Sequence, residues 1–137
     1  MYISTMIKKA ARLLEKKANV LLKPHNITHG YTYFLMALYE QDGMTQTELQ
    51  QAIGIEQPTV VRTLDRMERD GLIVRKQSPS DRRVFNIHLT EQAMVCKPAV
   101  LSSAECLNES LLHAFTDEEQ VRIKAWLQRL IINLEWD

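Results

Sequence analysis

Few of the parts that covalent chemistry needs are present in this 137-residue chain. Its two cysteines, Cys96 and Cys106, cannot supply the framework of a disulfide-stapled secreted domain. Its four glycines each read as a turn or a helix cap, which leaves none for a phosphate-cradling loop. His25, His29, His88 and His113 show no metal-ligand spacing. There is no nucleophile elbow. An enzyme is therefore not expected, and neither is a cofactor or a metal. No apolar run approaches the ~20 residues of a membrane span. The first twenty residues interleave Lys8, Lys9, Arg12, Glu15, Lys16 and Lys17 with apolar residues, unlike a signal peptide. A cytoplasmic protein with no membrane partner is expected.

Net charge is also missing: 17 basic residues balance 17 acidic ones. The distribution is uneven, however. Residues 1–23 carry six Lys/Arg against one Glu, and residues 56–90 carry seven against five acids. Residues 91–137 carry four bases against eight acids. Basic charge on one part of a neutral chain suits an electrostatic footprint for a polyanion.

What is present is helical period. Ile3, Met6, Ile7, Ala10, Leu13, Leu14 and Leu21 share one face over residues 3–22, with a basic face opposite. Pro24 ends that helix. Thr28 can cap the next, which carries Phe34, Leu35, Leu38 and Tyr39 to about Asp42 and stops at Gly43. Thr45 and Glu48 form a capping box for a short helix bearing Leu49, Ala52 and Ile53. Gly54 makes a turn, and Pro58 suits the first turn of a helix reaching Asp70. A strand over 72–76, a polar loop and an alternating strand over 84–89 follow; Phe85, Ile87 and Leu89 face one way. Thr90 caps a helix to about Ala114, interrupted or kinked at Pro98. Thr116 and Glu119 form a second capping box, and the last helix is expected to bury Ile123, Leu127, Leu130, Ile131 and Leu134.

Helix, turn, helix and ribbon in that order describe a mainly α fold with a small β-hairpin wing. It is a winged helix-turn-helix plus terminal helices. On the helix after Pro58, Val60, Leu64 and Met67 fall on one side, and Thr59, Arg62, Thr63 and Arg66 on another. The first set anchors; the second can face a groove of double-stranded DNA. Gln57, Thr59, Arg62 and Thr63 are candidates for base edges, and Arg66, Arg75, Lys76 and Arg82 for phosphates. Asp81-Arg82-Arg83 sits at the ribbon tip, where Arg83 can enter a minor groove and Asp81 can hold it extended.

The run AIGIEQPTVVRTLDRMERDGLIVRKQSPSDRRVFNIHLTE carries a resemblance to the MarR family, and within it to the SlyA-like branch. Its signature elements are Gly54-Ile55-Glu56-Gln57-Pro58, then Val61-Arg62-Thr63-Leu64-Asp65, and the wing pattern Asp81-x-Arg83 before Leu89-Thr90. The resemblance implies a homodimeric transcriptional regulator of pseudo-palindromic operators, often responsive to a small phenolic or other aromatic anion. It implies a single MarR-like domain over 1–137, with a DNA-binding lobe at 28–89 and dimerisation helices at 1–22 and 90–137. Arg83 becomes the minor-groove arginine and Asp81 its partner.

Arg12, Tyr31, Tyr33 and Met36 are the candidates for an aromatic ligand, having a cation and ring walls. Cys96 and Cys106 raise a redox-sensing alternative, but ten residues of helix separate them by ~15 Å, too far for a bond within one chain. A winged helix used only to bind proteins is the other alternative.

Overall fold

Ile3–Leu22 forms helix α1 in the computed structural model, as the apolar period requires. The structure describes residues 1–136 and divides into two compact units, residues 1–104 and residues 105–137. Of α1 only Ala18 and Leu22 are buried. Ile3, Met6, Ile7 and Leu13 stand exposed, although they make up the expected apolar face. Pro24 lies in a short 3-10 turn, Lys23–His25, closed by Asn26 in the left-handed region.

Helix α2 spans His29–Glu40 and buries Tyr31, Phe34, Leu35 and Leu38. Thr28 occupies the capping position, but its hydroxyl takes no capping bond. The His29 N–H donates instead to Asn19 Oδ1 at 2.7 Å, so α1 caps α2 across ten residues of sequence. The helix stops two residues before the expected Asp42, because Gln41 is already extended.

Helix α3, Gln46–Ile53, starts with the expected capping box: the Glu48 N–H donates to Thr45 Oγ1 at 3.1 Å, and the Thr45 N–H to Glu48 Oε1 at 3.3 Å. Gly54, at φ +74°, turns the chain in a conformation that a side chain would strain. Helix α4, Gln57–Arg69, then buries Val60, Leu64 and Met67 to 0% exposure. Strands β1, Ile73–Gln77, and β2, Phe85–Leu89, pair antiparallel from Ile73↔Leu89 to Gln77↔Phe85. An isolated bridge, Thr45↔Asn86, ties β2 to the start of α3. Leu72, Ile73 and Ile87 close the core over Phe34, Leu38, Leu49 and Leu64. Phe85 is exposed despite sharing the face of Ile87, since its register puts it at the tip end of the ribbon.

Thr90 starts helix α5, Glu91–Leu111, accepting the Ala93 N–H at 3.2 Å. The helix runs unbroken past Pro98 and ends three residues short of the expected Ala114.

In the second unit, Thr116 and Glu119 form the expected capping box of α6, Asp117–Glu135. No residue of α6 is buried. The expectation that Leu127, Ile131 and Leu134 are buried fails for a single chain: they remain exposed, Ile131 at 53% and Leu134 at 83%. A 33-residue unit has no second apolar layer to cover that stripe. Among the described residues no helix is long and apolar enough to cross a membrane.

Candidate nucleic-acid interface

Helix α4 has one anchored side and one free side. With Val60, Leu64 and Met67 fully buried, Gln57, Arg62 and Arg66 are turned to solvent, and Thr59 and Thr63 lie half-buried beside them. The hydroxyl and guanidinium groups of Thr59, Arg62, Thr63 and Arg66 therefore line one helical face, and the Gln57 amide stands exposed in the first turn, about 180° around the helix from Arg66. They are the donors and acceptors that read base edges and grip phosphates. Pro58 in the first turn removes no helical hydrogen bond.

The wing is ordered by its own short bonds. The Ser78 N–H donates to the Val84 carbonyl at 2.8 Å, the Val84 N–H to the Asp81 carbonyl at 3.1 Å, and Gln77 Nε2 to the Arg82 carbonyl at 3.0 Å. Asp81 Oδ1 accepts both the Arg83 backbone N–H at 3.0 Å and Arg83 Nε at 3.2 Å. Those bonds, the backbone one first, hold the Asp81 carboxyl below its ordinary range. The Arg83 side chain is nonetheless 90% exposed. It is oriented by a carboxylate and still free to enter a groove. Arg82 and Lys76 are exposed nearby.

Arg75 behaves differently. Its Nη2 meets Asp65 Oδ1 at 2.7 Å, its Nη1 meets Glu68 Oε1 at 2.9 Å, and its backbone N–H donates to Glu68 Oε2 at 3.2 Å. The side chain is only 19% exposed. Arg75 thus ties β1 to α4 and is held more closely than the exposed Lys76 and Arg82, which its sequence assignment to phosphate did not foresee. The signal was available: Asp65 and Glu68 stand at i, i+3 on one helix face.

The four residues named for an aromatic ligand do not come together. Tyr33 and Met36 line an open cavity of about 710 Å³ between α2 and α3. Tyr31 points elsewhere, into the core, and its hydroxyl donates to Asp70 Oδ2 at 2.6 Å. Positions two apart on a helix diverge by about 200°, which separates Tyr31 from Tyr33. Burial first, then the Asp70 bond, pushes the Tyr31 phenol up to about 12. Arg12 is exposed on α1 and lines neither this cavity nor the polar one beside Asp70. Sequence reasoning took Asp70 only as a helix end and missed its bond to Tyr31. It also missed Tyr39, whose hydroxyl donates to the Ala93 carbonyl at 2.7 Å while Lys97 Nζ sits 5.4 Å from its ring centroid. Cys96 and Cys106 are free and half-buried.

A model of the MarR family matches residues 27–85, from just before α2 to the first residue of β2. That segment, 59 of the 137 residues, is similar to the MarR family. Over 127 residues the chain is 28% identical to the HTH-type transcriptional regulator YybA of Bacillus subtilis, covering 93% of this chain and 85% of that one. Among solved structures it resembles MepR of S. aureus, determined as a complex with DNA, at 29% identity and a TM-score of 0.90, with 98% of each chain covered. A SlyA-like transcription regulator from Listeria monocytogenes is 25% identical, with a TM-score of 0.89 over 98% of this chain and 89% of that one. The likeness of fold thus extends well beyond the matched segment, to 98% of this chain.

Proposed function

We propose that this chain is a MarR-family transcriptional regulator that binds a pseudo-palindromic site in double-stranded DNA as a homodimer. One observation carries the reading: α4 buries its whole apolar stripe and presents Gln57, Thr59, Arg62, Thr63 and Arg66 outward, beside a wing whose Arg83 is held by Asp81 yet exposed. The DNA complex of MepR, a relative of like fold, supports it. The lobe at 28–89 is the DNA-binding head. One α4 per subunit enters successive major grooves about 34 Å apart. Gln57, Thr59, Arg62 and Thr63 read bases; Arg66, Lys76 and Arg82 meet phosphates; Arg83 enters the flanking minor groove.

The helices at 1–22 and 90–137 join the two copies. Support comes from the apolar residues that one chain leaves exposed on α1 and α6, Met6, Leu13, Leu127 and Ile131 among them. Such stripes are covered when a second copy meets them across a two-fold axis. Ligand response is no part of this reading, because Arg12, Tyr31, Tyr33 and Met36 line no common cavity.

The test is fluorescence anisotropy with duplexes enriched by the protein from random-sequence DNA, at several salt concentrations. Affinity is expected to fall steeply with salt, by a log–log slope of about 0.9 for each phosphate neutralised. Absent binding at low salt contradicts the reading.

A further inference from the structure

A recognition helix reads sequence only if its tilt is fixed, and the far end of α4 is held from three directions. The Tyr31 hydroxyl on α2 donates to Asp70 Oδ2 at 2.6 Å. Gln92 Nε2, in the first turn of α5, donates to the Asp70 carbonyl at 3.2 Å. Thr90 Oγ1 donates to the Gly71 carbonyl at 2.6 Å. Gly71 itself stands at φ +81°, a conformation that favours glycine, and a Cβ there would lie 2.9 Å from the movable Gln92 Oε1. The last carbonyls of α4 are taken by the turn itself (Arg66 by the Asp70 N–H, Glu68 by the Gly71 N–H and Met67 by the Leu72 N–H), and the next two, of Asp70 and Gly71, take partners from Gln92 and Thr90 at the start of α5.

We propose that Tyr31 and Asp70 are positioning residues: their phenol–carboxylate bond sets the angle at which α4 offers Gln57, Thr59, Arg62 and Thr63 to the bases. The proposal rests on the DNA-binding reading above and deepens it. A bond from a hydroxyl to a carboxylate is charge-assisted and directional, and it adds a fixed point at the far end of the helix, beyond the apolar anchors Val60, Leu64 and Met67. Leverage makes the tilt matter. A rotation of about 10° at Asp70 moves the first turn of this 13-residue helix by roughly 3 Å, the length of a hydrogen bond. Removing the bond should therefore blur base reading and leave phosphate neutralisation intact. Arg66, Lys76, Arg82 and Arg83 keep their charges and surroundings.

The experiment compares two duplexes of equal length and composition, one enriched by the wild-type protein from random DNA and one scrambled. Tyr31→Phe keeps the ring in the core and deletes only the hydroxyl. It is expected to weaken binding to the enriched duplex by about tenfold, and to leave the scrambled duplex and the salt slope unchanged. Asp70→Ala should lower the ratio of the two affinities by the same factor, with both affinities shifted up together because Arg69 loses its carboxylate at 3.1 Å, and the ratio in the double variant should be no worse than in either single one. Asp70→Asn, whose amide oxygen still accepts the bond, should recover most of the discrimination. Equal losses on both duplexes, no loss of the ratio, or additive losses of it overturn the positioning role while leaving the DNA-binding reading in place. A wild-type protein that binds neither duplex overturns both.

Discussion

Helices α4 and α6 carry the same kind of sequence signal and meet opposite ends. Both are amphipathic, and both have aliphatic residues at helical spacing. On α4 the stripe Val60, Leu64, Met67 is wholly buried; on α6 no residue is. Period reports that a helix has an apolar face, and it is silent on what covers that face. On α4 the cover comes from α2, α3 and the ribbon of the same chain. On α6 it is left, in our reading, to a second copy. A helix whose apolar side is filled at home can turn its polar side to a ligand. A helix whose apolar side is open is itself a binding surface.

The sharpest way to break that contrast is to damage each stripe in turn. Leu64→Ala is expected to cost about 2–5 kcal/mol of unfolding free energy, read by denaturant titration at any protein concentration. Ile131→Glu should instead leave each chain folded by circular dichroism and halve the mass in sedimentation, since a carboxylate must be desolvated to re-form the joint. If Ile131→Glu unfolds the chain outright, α6 is core and the contrast is false.

A smaller effect separates two arginines that look alike in the sequence. Arg75→Ala should lower stability by about 1–2 kcal/mol, because Asp65 and Glu68 lose their shared cation, and leave the salt slope of DNA binding unaltered. Arg83→Ala should do the reverse, with stability unchanged and the slope reduced by about one.

The smallest effect is one of pH. Asp70 is held below the ordinary carboxylate range by the Tyr31 hydroxyl first and Arg69 second. Its contribution is therefore fully present above the unfolded carboxylate value, about 3.9, and is lost as pH falls through the lower folded value. The stability gap between wild type and Tyr31→Phe should hold at neutral pH and close below about pH 4. A gap that closes near pH 6 would place the bond elsewhere.

Much of this was readable from residues in order. The bounds of α1, both capping boxes and the anchored face of α4 depend on neighbours three or four positions apart, which leave a periodic trace. The ribbon and the Asp81–Arg83 pair are equally local. What escaped was tertiary pairing. Asn19 displaced Thr28 as the cap of α2 from ten residues away, and Tyr31 found Asp70 across thirty-nine. Arg75 looked like any other wing cation until its two carboxylates on α4 were in view. Nothing periodic links such pairs, so a wheel diagram cannot see them. The same blindness placed Tyr31 in a ligand site, although its neighbour Tyr33 lies on the other side of the helix.

The most direct measurement is sedimentation velocity of the full chain with a duplex it has enriched from random DNA, followed to saturation. Two chains per duplex, arriving together and released by salt, are predicted. One chain per duplex, or a protein that stays monomeric and apart from the DNA at low salt, would contradict the account.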